Sequence, residues 1–143
     1  MGKVKFNKGF TLVELMIALA VLALLSSIAY PIYNNQAQKA RRADAKSALP
    51  LIALAQERYY TANGKYGSTL ASLSLDSSTL SSGYTEQGYY GLLLSVSVDG
   101  QQFDLMAQTS TGTGQGGDSK CTSFSLNQLG AQSATGSDSS NCW

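Results

Sequence analysis

The chain has 143 residues, of which 43% are hydrophobic, and ten basic against nine acidic side chains give it a formal net charge of +1. It contains no histidine, so neither a Ser-His nor a Cys-His nucleophilic pair can be built, and the usual general base at neutral pH is missing. This composition argues against an enzyme. A membrane segment would leave roughly 110 residues, the common size of a single soluble domain.

A lysine-bearing segment comes first and is followed by an almost continuously apolar stretch from Phe10 to Ala29. A helix of this length spans roughly 30 Å, about the thickness of a bilayer's hydrocarbon core, so we predict a membrane helix. Its one acidic side chain is Glu14, and an acid inside an apolar span is by default a candidate functional group. One alternative is a plain signal anchor that tolerates a shallow acid. An ordinary secretory signal fits worse, because the apolar run is long and lacks an Ala-x-Ala cleavage site.

The sequence GFTLVE at residues 9–14, behind the basic leader, resembles the prepilin peptidase site of type IV pilins. In that family the leader is removed after the glycine, the new N-terminal residue is methylated, and a glutamate follows as the fifth mature residue. The resemblance implies cleavage between Gly9 and Phe10 and N-methylation of Phe10. It also implies that Phe10 and Glu14 act in filament assembly, the carboxylate pairing with the N-terminal amine of an adjacent subunit.

The resemblance further implies an α+β fold, the type IV pilin fold. In this fold a long kinked N-terminal helix packs on a small antiparallel sheet with a disulfide-bounded C-terminal region. The expected parts are a cleaved leader (1–9), an apolar membrane and assembly helix (10–33), the amphipathic second half of that helix (34–60), a connecting region (61–91), and the sheet with the C-terminal region (92–143). Cleavage would remove three lysines and leave seven basic against nine acidic side chains, a formal charge of −2.

Pro31 follows the apolar stretch and would deprive the carbonyl of Ser27 of its helical partner, which predicts a bend near residues 23–31. The alternative is that Pro31 ends the helix. We favour one long kinked helix, because residues 34–60 are again rich in helix formers. Pro50 predicts a second weak point in this half. Residues at three- and four-residue spacing predict a face that packs on the sheet: Ala45, Ala48, Leu49, Ile52, Ala55, Gln56 and Tyr59.

A charged run precedes this face, and such a run is usually a solvated helix surface: Lys39, Arg41, Arg42, Asp44 and Lys46. The positive-inside rule would hold these cations in the cytoplasm, but the leader lysines flank the other end of the span more closely. We therefore expect the C-terminal domain outside the cytoplasm.

Beyond the helix, residues 65–88 predict a long surface connection held to the domain by leucines 70, 73, 75 and 80. Period-two alternation at residues 92–98 and 103–107, joined by Asp99-Gly100, predicts a hairpin with one apolar face. A third strand is predicted over residues 122–127, burying Phe124 and Leu126. Residues 109–119 and 130–141 are rich in glycine, serine and threonine and predict loops.

The two cysteines, Cys121 and Cys142, lie far beyond the membrane segment, and an even pair in an exported domain predicts a disulfide. Such a bridge would contribute about 3 kcal/mol by loop closure. The aspartates near glycines lack the spacing of a calcium loop, and two thiolates without histidine fall short of a zinc set. We therefore expect neither a metal nor another cofactor.

The expected function is that of a structural subunit of a type IV pilus, major or minor, which supports adhesion, twitching motility or DNA uptake. The short sheet and the terminal Cys-Trp resemble those of type IVa minor pilins of the PilE type. Expected partners are other pilin subunits, prepilin peptidase, the pilus assembly machinery and inner-membrane lipid. The expected location is the bacterial inner membrane, single-pass with a periplasmic C-terminal domain, and then the extracellular pilus. Alternatives are a type II secretion pseudopilin and a competence pilin that binds DNA, although only Arg58, Lys65 and Lys120 lie beyond the Arg41-Arg42 region.

Overall fold

A computed structural model describes residues 9–143. The predicted leader therefore lies outside the described residues except for Gly9. The chain divides into two units, Met1–Ala37 and Gln38–Trp143, which we call the N-terminal and C-terminal units.

Helix α1 runs from Leu12 to Asn63. It continues through Pro31 and Pro50, so the alternative that Pro31 ends the helix is wrong, while the predicted bend at this residue stays a prediction. The helix ends before Gly64, whose φ of 70° is the left-handed conformation that closes many helices. The amide of Gly64 donates to the carbonyl of Tyr60 at 2.8 Å, which satisfies one of the last free carbonyls of the helix.

The predicted packing face of α1 is confirmed within the C-terminal unit. Six of its seven members are buried, and the seventh, Tyr59, is partly buried against the same core. The face contains only one polar side chain, Gln56, because the remainder must exclude water from the sheet. Burial of this apolar face supplies most of the driving force for packing the helix on the sheet.

The sheet has four antiparallel strands in the order β1-β2-β3-β4. The strands are β1 (Tyr90–Val96), β2 (Phe103–Thr109), β3 (Ser123–Asn127) and β4 (Gln132–Thr135). Leu94 pairs with Leu105, which pairs with Leu126, so these three side chains lie on the inner face. Phe103, Leu105, Ala107, Phe124 and Leu126 are buried, which confirms the predicted apolar faces.

Two predictions for this region are wrong. Residues 130–141 were predicted as a loop, but strand β4 lies within them. Most side chains of this strand are exposed, and an exposed strand does not need the apolar alternation by which the other strands were predicted. Val98 was predicted on the apolar face of the first strand, but it lies in the β1–β2 turn and is 110% exposed.

The connection between α1 and β1 carries two short helical turns, Leu70–Leu73 and α2 (Ser78–Ser81). The side chains of Leu70, Leu73 and Leu80 are buried and Leu75 is partly buried. The prediction that leucines hold this connection to the core is therefore confirmed.

Candidate functional site

The start of α1 is organised by Thr11 and Glu14. The hydroxyl of Thr11 accepts from the amide of Glu14 at 3.2 Å, and the carboxylate of Glu14 accepts from the amide of Thr11 at 3.4 Å. This reciprocal pair is a capping box, which satisfies two amides that the first helical turn leaves free. A carboxylate in the first turn is also stabilised by the helix dipole.

Gly9 and Phe10 precede the helix and have no helical backbone assignment. The side chain of Phe10 is 80% exposed. The bond predicted to be cleaved therefore lies in irregular, accessible backbone, four residues ahead of Glu14. This arrangement suits cleavage at that bond, which stays a prediction, as do the methylation of Phe10 and the assembly role of Glu14.

Among the described residues, α1 is the one helix long and apolar enough to cross a membrane, and its most apolar window has no buried residue. Its exposed side chains include Leu15, Leu19 and Leu22. An apolar helix surface of this size is stable only in lipid or against other apolar helices.

In the C-terminal unit, polar side chains of α1 hold the segments that follow the helix. The side-chain amide of Gln56 donates to the carbonyl of Gly67 at 2.9 Å and accepts from its amide at 2.8 Å. Asp44 accepts from the hydroxyl of Thr85 at 2.6 Å and from the amide of Gln87 at 3.3 Å. The long connection is thus fixed at both of its ends.

The third polar tie is a buried ion pair between α1 and the loop after β2. Arg42 donates to both carboxylate oxygens of Asp118, from Nε at 2.7 Å and from Nη2 at 2.8 Å. The same carboxylate accepts from the side chain of Gln115 at 2.9 Å and from the amides of Lys120 and Cys121 at 3.2 and 3.3 Å. Such two-pronged arginine pairs are among the strongest hydrogen-bonded contacts in proteins.

Hydrogen bonding and burial shift the pKa values of two groups in this network, Arg42 and Tyr90. The hydrogen bond to Asp118 raises the pKa of Arg42 above its ordinary value, so the guanidinium stays charged. Burial raises the pKa of Tyr90 to about 12, so its hydroxyl stays neutral and accepts from the side-chain amide of Gln115 at 2.8 Å. Asp118 is therefore the anion that Arg42 neutralises in this part of the core.

The prediction that the charged run of α1 is a solvated surface is wrong for Arg42, which is only 7% exposed. Arg41 is partly buried and lies over the ring of Tyr89 at 5.0 Å, while Lys39 is exposed. Nothing local distinguishes Arg42 from Arg41, because its partner lies 76 residues away in the sequence.

Cys121 and Cys142 are bonded, with an S–S distance of 1.99 Å and a Cα–Cα distance of 5.7 Å, and both are fully buried. The neighbouring Trp143 packs edge-on against Phe124, with 5.6 Å between ring centroids, and its indole N–H donates to the carbonyl of Ser133 at 2.6 Å. The bridge therefore holds the C-terminal segment against β3 and β4.

Breaking this bridge is expected to destabilise the C-terminal unit. Cys142→Ser should lower the free energy of unfolding by about 3 kcal/mol, because the segment it closes regains freedom in the unfolded chain. The one tryptophan of the chain, Trp143, reports the transition when the full-length protein in detergent is titrated with urea. A reduced wild-type sample is the matched control and should show the same loss; an unchanged midpoint in both would contradict the stabilising role of the bridge.

Across residues 9–143, no group of three or more histidine, cysteine, aspartate or glutamate side chains is placed to hold a metal ion. The buried ionisable groups that come together there include Arg42 and Asp118, which pair with each other.

Comparison with known proteins defines the class to which this fold belongs. A solved structure described as the high-resolution structure of a type IV pilin from Shewanella oneidensis is similar to this chain, with 27% identity and a TM-score of 0.51, over 74% of this chain and 97% of that one. A long N-terminal helix, a four-stranded antiparallel sheet and a C-terminal disulfide thus constitute a type IV pilin fold.

Family comparison is more specific. The prokaryotic N-terminal methylation motif matches residues 4–30, and the family described as "Type IV minor pilin ComP, DNA uptake sequence receptor" matches residues 31–125. The chain belongs to this type IV minor pilin family. Its N-terminal apolar helix is accordingly a membrane anchor before pilus assembly.

Two curated proteins are similar to parts of this chain, one named as a type IV major pilin and one as a fimbrial protein. The chain is 33% identical over 60 residues to the type IV major pilin protein PilA of Myxococcus xanthus, covering 42% of this chain and 27% of that protein. It is 35% identical over 73 residues to a fimbrial protein of Neisseria meningitidis, covering 51% of this chain and 43% of that protein. The matched segments thus span less than half the length of either relative.

Proposed function

We propose that the chain is a structural, non-catalytic subunit of a type IV pilus, cut between Gly9 and Phe10, methylated at Phe10 and assembled through the apolar part of α1. The observation that carries the proposal is the start of this helix. Phe10 lies exposed directly before the capped first turn, inside the segment that the methylation motif matches. A type II secretion pseudopilin would share this start, but one relative and the solved structure described above are named as type IV pilins, and the other relative as a fimbrial protein.

Under this proposal the precursor crosses the inner membrane once, with the C-terminal unit in the periplasm, and prepilin peptidase and the assembly machinery then move it into an extracellular filament. The disulfide supports this location, because such bonds persist in oxidising compartments. The exposed apolar side chains along the first part of α1 would leave lipid and pack against neighbouring helices during assembly. Little free energy is gained by apolar burial in that exchange, so side-chain packing and polar pairing must supply specificity.

The direct test is the N-terminal peptide of the protein in sheared filaments. We expect mass spectrometry to find a chain that begins at N-methylated Phe10. Gly9→Val should leave an uncut precursor in the membrane fraction, whereas Gly91→Val serves as a processing control, because Gly91 lies in strand β1 and an added Cβ there meets nothing within 4 Å. A filament protein that begins at Met1, or a mature protein absent from filaments, would contradict the proposal.

A second candidate function, binding of DNA, is favoured by the description of the matching family as DNA uptake sequence receptors. A pocket beside α1 offers Arg41 stacked on Tyr89, but Asp44 and Glu86 line the same pocket. Carboxylates oppose phosphate, and Arg42 is already neutralised by Asp118. The electrostatics of the C-terminal unit therefore support the filament role better.

DNA binding is tested with the processed protein and labelled duplex DNA at two salt concentrations. A receptor that contacts phosphates through several cations would lose affinity steeply between about 50 and 200 mM salt. Arg41→Ala should then weaken binding, while Lys120→Ala, on the loop before β3, tests a cation away from the pocket. Absence of saturable binding at the lower salt concentration would remove this candidate.

A further inference from the structure

Strand β1 contains a glycine that neither backbone conformation nor crowding explains. Glycine weakens a strand, and its usual reasons there are a positive φ, a bulge, or the close approach of another backbone or a ligand. Gly91 is not among the glycines with positive φ, and the register between β1 and β2 runs through it without a bulge. A Cβ added to Gly91 would meet no described atom within 4 Å. Of the usual reasons, the approach of a ligand is the one that fits.

Gly91 lies in the middle of a row of three residues on the outer face of the sheet. Gln108 pairs with it from β2, and Tyr84 pairs with it from the preceding connection through an antiparallel bridge. Residues paired in this way share one face, and that face is the outer one, because the neighbours Tyr90 and Leu92 are buried in the core. The row therefore has a tyrosine and a glutamine with an open gap between them. We call this gap the glycine notch.

Backbone hydrogen bonds on both sides of Tyr84 hold this wall of the notch in place. The carbonyl of Gly83 accepts from the amide of Leu92 at 2.7 Å, and the amide of Thr85 donates to the carbonyl of Tyr90 at 3.0 Å. Because these bonds occupy the outward backbone groups of β1 at this point, an extended peptide cannot add here as a further strand. The notch is therefore a preformed side-chain site on a closed part of the sheet edge.

The groove that contains the notch has a volume of about 400 Å³, which lies within the range of small-molecule sites. Tyr84 and Leu93 remain 49% and 57% exposed and give the groove its apolar surface. Among the described residues, no charged side chain lines it. Its polar side chains are neutral amides and hydroxyls: Ser82, Gln108, Thr109, Ser110 and Thr111.

These groups favour an uncharged ligand that has one apolar face and several hydroxyls. Phosphates would find no cation in the groove, and nucleic-acid binding depends on such cations. Serine and threonine hydroxyls both donate and accept, as sugar hydroxyls do, while an aromatic ring offers its apolar face to a ring of C–H groups. We propose that the glycine notch binds a neutral sugar residue, packed against the ring of Tyr84 and hydrogen-bonded to the amide of Gln108. This activity goes beyond the filament role and would attach the subunit to a glycan-bearing surface.

The test is saturation-transfer NMR with the full-length protein in a deuterated detergent that has no sugar headgroup. The probes are glucose, galactose, N-acetylglucosamine, N-acetylgalactosamine and lactose, each at about 10 mM, which would fill most sites even at a Kd of about 1 mM. We expect saturable transfer to the ring C–H protons of at least one of these sugars. Duplex DNA and inorganic phosphate should not displace it, because the groove carries no cation.

Four variants connect the signal to the notch. Gly91→Val should fill the gap, and valine is favoured in strands, so we expect binding to weaken by about tenfold or more while the fold is kept. Tyr84→Ala should have a similar effect because it removes the aromatic surface, whereas Tyr84→Phe keeps the ring and should retain most of the binding. Gln108→Ala should weaken binding, and its matched control is Gln132→Ala, which removes an exposed amide side chain from β4 and should change nothing.

The proposal is overturned if none of these sugars binds saturably, or if Gly91→Val and Tyr84→Ala bind as the wild type does. Displacement of the sugar by duplex DNA would also overturn it, because the groove would then belong to a nucleic-acid site. Urea midpoints followed by Trp143 fluorescence verify that each variant is folded. Sugar binding is measured on the isolated protein, so a subunit that is missing from filaments would contradict the filament role and leave this result unaffected.

Discussion

Arg42→Ala is expected to lower the free energy of unfolding of the C-terminal unit by about 3–5 kcal/mol, the usual cost of leaving one member of a buried ion pair without its partner. Asp118 would keep hydrogen bonds from Gln115 and two backbone amides, but it would lose both charged donors. Urea unfolding of the full-length protein in detergent, followed by Trp143 fluorescence, measures the loss.

The matched control is Arg41→Ala, which removes the same side chain one residue earlier. Arg41 contacts the ring of Tyr89 but has no ion pair among the described residues, so its removal should cost about 1 kcal/mol or less. Equal losses in the two variants would show that the buried pair is not what stabilises this loop. Membrane insertion should be the same in both, because neither residue lies in the apolar part of α1.

The packing of helix on sheet could be predicted from the sequence, because it depends on local periodicity. Ala45, Leu49 and Ile52 recur at helical spacing, and Phe103 and Leu105 alternate with polar residues. Each pattern specifies which face is apolar, and two apolar faces in one small domain must pack together. The disulfide was predictable for a different reason, since Cys121 and Cys142 have no competing cysteine.

The Arg42–Asp118 pair could not be predicted in this way. Local sequence places Arg42 in a run of charges typical of a solvated surface, and only the tertiary fold brings Asp118 to it. Strand β4 was missed for a different reason: it is an edge strand with three polar residues, and its one apolar residue, Ala134, is only partly buried, so its sequence carries no apolar alternation. The capping box at Thr11 and Glu14 did have a signal, a threonine followed three residues later by a glutamate ahead of an apolar run.

That capping box changes how the role of Glu14 has to be tested. Loss of the carboxylate by Glu14→Ala would remove a helix cap as well as any partner in a neighbouring subunit, and a lost cap alone costs about 0.5–2 kcal/mol. Glu14→Gln separates the two effects, because glutamine can also serve in a capping box but carries no charge. Thr11→Ala is the complementary variant, which removes the capping hydroxyl and keeps the carboxylate.

Glu14→Gln is expected to reduce incorporation into filaments by more than about tenfold, nearly as much as Glu14→Ala. The physical reason is that the N-terminal ammonium of a neighbouring Phe10 would lie unpaired in an apolar helix bundle, and half of a 3–5 kcal/mol penalty already exceeds the 1.4 kcal/mol that corresponds to a factor of ten. Thr11→Ala should change incorporation little. The measurement is the ratio of the protein in sheared filaments to that in membranes, with cleavage after Gly9 verified in each variant. If Glu14→Gln is incorporated normally and only Glu14→Ala and Thr11→Ala lose incorporation, Glu14 acts only as a helix cap. If all three variants are incorporated normally, Glu14 has no role in assembly and the apolar part of α1 is a simple membrane anchor.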